Sequence, residues 1–218
     1  MKRMKLVMLL LMGGLVSACA NTNVASRNAP FEAPPLAAPV PVETIVAPAQ
    51  VRVDQITVRV PRSLSVSEAN RYLPTGDIVW REDPIGDRHA QVATIFYGAM
   101  VKGTEALDGD RAVNLDIEVS RFHALTEKAR YTTGGVHNIN FLLTLRDAET
   151  GAPLGEPRRI RADLDAFGGQ QALQAEARGL TQKVRITNHL AEVIRQELTT
   201  EQGFKNPKLG LLQAMNQI

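Results

Sequence analysis

The sequence predicts an α+β domain with the element order β–α–β–β–β–α, in which a mainly antiparallel sheet carries two helices packed on one face. Three observations favour this fold. Residues 111–120 and 136–145 alternate between apolar and polar side chains, as half-buried strands do. Residues 92–103 and 173–198 instead repeat apolar side chains every three or four positions, which is typical of amphipathic helices. Segments rich in Gly, Pro and Asp separate these runs and predict turns.

The first strand is predicted over residues 51–60, in the run VRVDQITVRV. Its apolar phase slips between Val53 and Ile56, which indicates a bulge, and Pro61 ends it. A short helical turn is expected within residues 67–74 and a brief strand at residues 78–80.

The first helix begins near residues 83–87, where two aspartates offer alternative N-caps. Asp83 would cap it with Pro84 as the first helical residue, whereas Asp87 would cap it after Gly86. Its apolar stripe comprises Val92, Phe96, Ala99 and Gly103, widened by Ile95 and Met100.

Three strands follow, and they are predicted to form an antiparallel meander with one wet face. The first strand should pair in parallel with the strand after the helix, because a helix crosses between them. The expected inward residues are Val113, Leu115, Ile117 and Val119, then Ile139, Phe141, Leu143 and Leu145, then Ile160, Ala162, Leu164 and Ala166.

The last helix is predicted to run unbroken over residues 173–198. Gly179 lies inside it at a cost of about 1 kcal/mol relative to Ala, which a long apolar stripe can offset. The predicted stripe is Leu173, Ala177, Leu180, Val184, Thr187, Ala191, Ile194 and Leu198.

The folded domain is therefore predicted over residues 51–200, followed by a C-terminal extension over residues 201–218.

Residues 1–18 have the parts of a secretory signal: a basic start, an apolar centre and small residues before a cleavage point. The single cysteine, Cys19, follows at once, and Val16-Ser17-Ala18-Cys19 resembles the bacterial lipobox. That resemblance implies a lipoprotein signal peptide and a diacylglyceryl group on Cys19. The alternative is a plain secreted protein with a free thiol, although an exported protein has no obvious use for one. Ala20, in place of Asp, favours the outer membrane over the inner one by analogy with the known sorting rule.

Residues 20–50 are rich in Pro, Ala and Val, as in the run PFEAPPLAAPVPV. Such a segment favours extended conformations of about 3.1 Å per residue, so residues 19–50 are interpreted as a lipidated cysteine and a tether. A proline-rich ligand for an aromatic groove is the alternative.

The charge balance argues against a nucleic-acid partner. The formal charge is +2, but Lys2, Arg3 and Lys5 belong to the signal, and without them 22 basic side chains face 23 acidic ones. A nucleic-acid-binding domain normally has a basic surplus. The expected partners are instead the membrane, through the lipid on Cys19, and an envelope protein.

Catalytic motifs are hard to find, and we expect neither an enzyme nor a cofactor. The four histidines show no metal-ligand spacing, although His123 and His137 flank one loop and could meet in space. Asp163 and Asp165 share a strand face with preceding arginines, which indicates a solvated, mutually neutralising strip.

Two short segments are candidate interaction sites. Trp80 and Arg81 open the charged run WREDPIGDRH, and Trp and Arg are residues that anchor protein interfaces. Trp80 could equally fill the edge of the core. Arg158, Arg159 and Arg161 form a basic cluster that could meet an anionic glycan, lipid head groups or an acidic partner.

With its lipobox, its proline-rich segment and the run NRYLPTGDIVWREDPIGDRH, the chain resembles an uncharacterised family of proteobacterial envelope lipoproteins. The order of elements is also similar to periplasmic modules of secretion-pore and penicillin-binding-protein-activator lipoproteins. The resemblance implies location and shape but no activity. Our main hypothesis is a lipid-anchored, non-enzymatic binding or assembly module. The alternatives are a solute-binding or accessory lipoprotein of a transporter, which needs an apolar cavity, and a hydrolase using His123 or His137 with Asp163 and Asp165.

Overall fold

The computed structural model describes residues 51–207, and the predicted α+β class is confirmed. The signal peptide, Cys19, the tether and residues 208–218 lie outside this range. Within it, one six-stranded sheet is accompanied by four helices. The strands are β1 (Val51–Arg59), β2 (Ile78–Val79), β3 (Arg111–His123), β4 (Gly135–Asp147), β5 (Arg158–Arg161) and β6 (Leu164–Ala166), and the helices are α1 (Arg88–Thr104), α2 (Glu127–Arg130), α3 (Gly169–Ala177) and α4 (Gln182–Thr199).

Two long antiparallel strands, β3 and β4, form the centre of the sheet. β1 and β2 pair in parallel with successive parts of β3, and β5 and β6 pair antiparallel with successive parts of β4. The parallel pairing of the first strand with the strand after the helix is therefore confirmed. So is the bulge in β1, because the register shifts between Val53 and Gln55.

The hydrophobic core lies between one face of the sheet and the helices. Asp87 is the N-cap of α1, and its side chain accepts a hydrogen bond from the Ala90 amide at 3.1 Å. The α1 stripe is buried as predicted. On the sheet, Phe122 and Phe141 both pack against Phe96, with ring centroids 6.1 and 5.4 Å away. These aromatic contacts fasten α1 to the two central strands.

The third strand of the meander is split into β5 and β6. Between them, the Asp163 carboxylate accepts the Ile139 amide at 3.0 Å, a bond that a strand carbonyl would otherwise accept. The backbone thereby leaves the ladder for two residues. The predicted inward phase nevertheless holds, because Ile160, Ala162 and Ala166 are buried.

The prediction of one unbroken C-terminal helix is wrong. Gly179 adopts a left-handed φ of +77°, and the Leu180 amide donates to the Ala175 carbonyl at 2.9 Å, which ends α3. Thr181 then caps α4 through the Val184 amide. The predicted stripe is only partly correct. Ala191, Ile194 and Leu198 are buried as predicted, together with Gln182, Ile186, Leu190 and Val193, whereas Leu173, Leu180 and Val184 are exposed.

One local prediction between the main elements is also wrong. Residues 67–74 form no helical turn, because their polar groups bond across to α2: Thr126 Oγ1 donates to the Arg71 carbonyl, and Asn70 Oδ1 accepts the Lys128 amide. Helix α2 was not predicted, since four residues are too few to show helical periodicity.

Gly103 is the point of closest approach between α1 and α4. A Cβ atom there would overlap the Ala191 carbonyl oxygen and the Ile194 Cγ2 methyl group. We expect Gly103→Ala to lower the free energy of unfolding by about 1–3 kcal/mol, because the two helices must move apart. Urea denaturation measures the change.

Gly98 provides the matched control, since it lies in the same helix with open space around its Cα. Gly98→Ala should stabilise the protein by up to about 1 kcal/mol through helix propensity. Equal stabilisation by both substitutions would contradict the close packing of α1 on α4.

Candidate functional site

The candidate site lies on the sheet face that points away from the helices, which we call the open face. Side chains of successive strand residues alternate between the two faces, so the residues between the buried positions of β3 and β4 point outward. On the edge strand β1, the outward side chains of Arg52, Thr57 and Arg59 are exposed. The open face is polar over most of its area.

One half of the open face is electrically neutralised by cross-strand ion pairs. Arg59 on β1 pairs with Glu118 on β3, and Arg146 on β4 pairs with Asp116 on β3 at 2.5 Å. These side chains lie directly opposite or diagonally across adjacent strands, where opposite charges attract. This half presents little net charge to solvent.

Beside these pairs the open face carries a cluster of three cations, which we call the arginine patch: Arg121, Arg159 and Arg161. Arg159 shares a cross-strand row with Arg59, Glu118 and Leu142. In the register of the sheet, Arg121 and Arg161 lie on either side of Asn140, so their Cα atoms are about 9.5 Å apart. Arg159 lies two residues from Arg161 along β5 and is exposed.

The arginine patch is only weakly neutralised from within the chain. Among residues 51–207, we find no carboxylate within ion-pair distance of Arg159 or Arg161. Arg121 has one distant partner, Asp77, with an N–O separation of 3.9 Å. The patch therefore offers three guanidinium groups to solvent beside the outward side chain of Asn140.

The predicted cluster of Arg158, Arg159 and Arg161 is divided between the two faces. Arg158 lies opposite Leu143 and points to the helix side, where its Nη1 lies 2.6 Å from Glu197 Oε1 on α4. The Glu197 side chain is 1% exposed, and burial raises the pKa of its carboxyl group. Glu197 Oε2 also accepts the Phe204 amide at 2.7 Å. Arg158 is thus bound within the fold, unlike its two neighbours.

Because Arg158 points to the opposite face from Arg159 and Arg161, we expect their substitutions to change the free energy of unfolding by different amounts. Arg158→Gln should lower the free energy of unfolding by roughly 2 kcal/mol, because it leaves the buried Glu197 carboxylate without its cation. Arg159→Gln and Arg161→Gln should each change it by less than about 0.5 kcal/mol. Chemical denaturation of the three variants tests the expectation, and three equal losses would contradict the separation of faces.

The other predicted interaction segment is turned into the fold. Trp80 is fully buried, its ring packs edge-to-face on Phe122 at 5.6 Å, and its Nε1 donates to Asp83 Oδ2 at 2.8 Å. Trp80 therefore fills the core, the second of the two roles considered for it, and presents no surface to a partner. Arg81 is likewise engaged: its Nε pairs with Glu127 at 2.5 Å, and its Nη1 donates to the Glu68 carbonyl.

A network of ion pairs connects this segment to its neighbours. Arg88 is 3% exposed and makes a two-point contact with Glu68, at 2.7 and 3.1 Å. Arg88 also lowers the pKa of the Glu68 carboxyl group. Glu82 accepts the Lys183 amide at the start of α4 and pairs with Arg130 of α2. The charges of this run stabilise the joints between loops and helices.

The structure does not bring His123 and His137 together. His123 lies opposite Asn138 on the open face, so His137, one residue away on β4, points to the helix side. His123 Nε2 contacts the Pro74 carbonyl at 2.9 Å. His137 is 1% exposed, and its Nδ1 accepts the Leu125 amide at 3.4 Å. The two histidines therefore lie on opposite faces of the sheet, although they flank one loop in the sequence.

A small cleft lies beside His137, between α2, α3 and the start of α4. Arg130, His137, Gln182 and Arg185 contribute polar groups to it, and the Arg185 guanidinium stacks on Phe167 at 3.6 Å. Its cavity volume is about 10 Å³, enough for one water molecule, which could donate to the buried and otherwise unpartnered Gln182 Oε1. A solute site of the kind that the transporter alternative requires would need at least about 300 Å³.

The buried His137 makes stability dependent on pH. Burial, assisted by the nearby Arg185 and Arg130, lowers its pKa to about 3, whereas an unfolded chain has a histidine pKa of about 6.5. Between these values the unfolded state binds the proton more readily, so the free energy of unfolding falls as the pH falls through this window.

We therefore expect the parent to lose about 3 kcal/mol more stability than His137→Asn when the pH is lowered from about 7 to about 4. Asparagine retains an acceptor for the Leu125 amide but takes up no proton. Urea denaturation across this range measures the difference. Parallel stability curves for the two proteins would show that His137 does not control the acid response.

Arg121, the member of the arginine patch that lies on β3, was not predicted from the sequence. The strand continues past its predicted end at residue 120, and the register shifts between Val119 and Arg121, which turns Arg121 to the open face. The alternating phase identified Arg159 and Arg161 as sharing one strand face, but it could not show which β3 residue lies two strands away.

Comparison with known proteins connects the chain to a described family. The model of a family of unknown function, DUF6778, matches residues 51–214, and this confirms the resemblance to an uncharacterised family. No curated protein matches the chain significantly. None of the helices within residues 51–207 is both long and apolar enough to cross a membrane.

Two solved structures show distant similarity. One is a candidate lipoprotein from Caulobacter crescentus, at 17% identity and a TM-score of 0.31, with coverage of 49% of this chain and 80% of that chain. The other is a Xanthomonas campestris protein of the DUF330 family, at 12% identity and a TM-score of 0.42, with coverage of 71% and 88% respectively. At these scores neither structure supports an argument about function.

Proposed function

The chain belongs to DUF6778, a family of unknown function, and we propose that it is a lipid-anchored envelope protein whose folded domain binds another component of the envelope. The lipid on Cys19 holds the chain in the membrane, and residues 20–50 act as the tether. The domain lies on the periplasmic side, with the outer membrane favoured over the inner one because Ala20 follows the cysteine.

The sequence around Cys19 supports the anchor. It is the only cysteine in the chain, and it follows a basic start, an apolar centre and small residues. One acyl chain gives only reversible membrane binding, at about 0.8 kcal/mol per buried methylene group, whereas two or three chains on one cysteine give a durable anchor.

The arginine patch is the single observation that carries the binding role. Its three cations lie on a sheet face that the described helices leave open, with one weak counter-ion among residues 51–207.

Replacing the acylated thiol tests the anchor. The parent should sediment with membranes and dissolve only in detergent, and its mature N-terminus should be Cys19 carrying a diacylglyceryl mass. Cys19→Ser should leave the membrane fraction or remain uncleaved, because serine offers no thiol to the lipid-transfer reaction. Fractionation and intact-mass spectrometry measure both properties.

Ser26→Ala is the matched control, since it changes a nearby residue of the tether and keeps the lipobox. It should behave like the parent. If Cys19→Ser is processed and retained in membranes as fully as Ser26→Ala, the proposal of a lipid anchor fails.

A further inference from the structure

The other arginines whose side chains point outward from the sheet are each paired with a carboxylate, whereas the arginine patch has only one distant carboxylate partner among residues 51–207. Arg52, Arg59 and Arg146 each have a carboxylate partner within 3.0 Å. Arg159 and Arg161 have none among the residues that the structure describes, and the Arg121 partner is 3.9 Å away. Like charges held this close repel one another, so an anion from outside the chain would be attracted to the patch.

We propose that the arginine patch and Asn140 bind an acidic glycan, a polysaccharide that carries oxyanion groups on successive sugars. This inference rests on the proposed function, because it names the envelope component that the open face contacts. It adds a ligand class and the residues that recognise it.

The geometry of the patch fits alternating anionic and hydroxyl groups. A guanidinium group binds a carboxylate or phosphate in a two-point contact. The Cα atom of Arg161 lies about 7 Å from that of Arg159 along β5 and about 9.5 Å from that of Arg121 across the sheet. Asn140 lies between Arg121 and Arg161. Its Nδ2 donates to Asn138 Oδ1 at 3.1 Å, and its Oδ1 has no donor among residues 51–207, so it can accept from a sugar hydroxyl.

The composition of this surface disfavours a protein partner. Protein interfaces are built around buried aromatic and apolar anchors. In the two cross-strand rows that contain the patch, Leu142 is the one apolar outward residue. Trp80, the only tryptophan of the chain, is fully buried. The surface therefore suits a polar ligand.

The charge of the chain disfavours a membrane surface as the ligand. Recognition of anionic lipids typically uses clusters of about 4–8 basic residues. The patch has three, and without the signal peptide 22 basic side chains face 23 acidic ones. The long-range attraction to a charged bilayer would be weak.

The test uses the chain from residue 19 onward with Cys19→Ser, which needs no detergent. Its binding to fluorescent hexagalacturonate, which bears one carboxylate per sugar, is compared with binding to maltohexaose and to a hexaglutamate peptide. We expect the tightest binding to hexagalacturonate, no binding to neutral maltohexaose, and affinity that falls as salt is added.

Two double variants distinguish binding by the arginine patch from non-specific attraction to positive charge. Arg159→Gln with Arg161→Gln should weaken hexagalacturonate binding by roughly tenfold or more. Arg71→Gln with Arg178→Gln removes two cations that are exposed and have no ion pair within residues 51–207, and it should change the affinity by less than about twofold. Asn140→Ala should reduce the preference over hexaglutamate. Thermal unfolding establishes that each variant is folded.

Equal binding by both double variants, or binding no tighter than to maltohexaose, would overturn the proposal. Tighter arginine-dependent binding to hexaglutamate would overturn it in favour of an acidic protein, and arginine-dependent binding to phosphatidylglycerol vesicles would overturn it in favour of a lipid surface. None of these results affects the fractionation of Cys19→Ser, so failure of the glycan inference and failure of the lipid anchor are distinguishable.

Discussion

The register between β3 and β4 is the constraint on which the rest of the structure depends. It places Leu115, Ile117 and Val119 opposite Leu145, Leu143 and Phe141 on the core side. A slip of one residue would turn all of these side chains to solvent and the polar set to the helices. The same pairing aligns Arg121 with Asn140 and, through β5, with Arg161. The same backbone hydrogen bonds therefore align both the core residues and the residues of the candidate site.

Periodicity predicted the features that depend on short-range pattern. The alternation in β3 and β4 identified the inward residues, and the stripe from Val92 to Gly103 identified the buried side of α1. Periodicity failed where one residue changes the direction of the chain. Gly179 costs little inside a helix and is equally suited to a left-handed turn, so the pattern alone could not distinguish a continuous helix from two. Composition grouped Arg158 with Arg159 and Arg161 in one basic cluster, because the buried carboxylate that binds Arg158 comes from a helix about 40 residues later.

The charged run from Trp80 to Arg88 shows why composition is a weak guide to surfaces. An aromatic ring among charges suggested an interface, yet the charges satisfy one another and the neighbouring elements. Burying Arg88 is favourable only because Glu68, two carbonyl groups and Gln91 accept its hydrogen bonds together. Three of these acceptors are within five residues of Arg88, but Glu68 is 20 residues away and becomes a visible partner only once the loop is folded. The arginines of the arginine patch are recognised instead by having only one distant carboxylate partner among residues 51–207.

The parallel pairing of β1 with β3 has a mechanical consequence. The segment that would connect the domain to the lipid joins it at Val51, the residue at which β1 begins beside Arg111, whereas Arg121 lies ten residues farther along β3. If the lipid end and the arginine end were held at once, tension would act along the strands. The backbone hydrogen bonds between β1 and β3 would then bear the load together in shear, and would not open one after another. Force applied at these two ends would therefore leave the domain folded at higher loads than force that opens the hydrogen bonds singly.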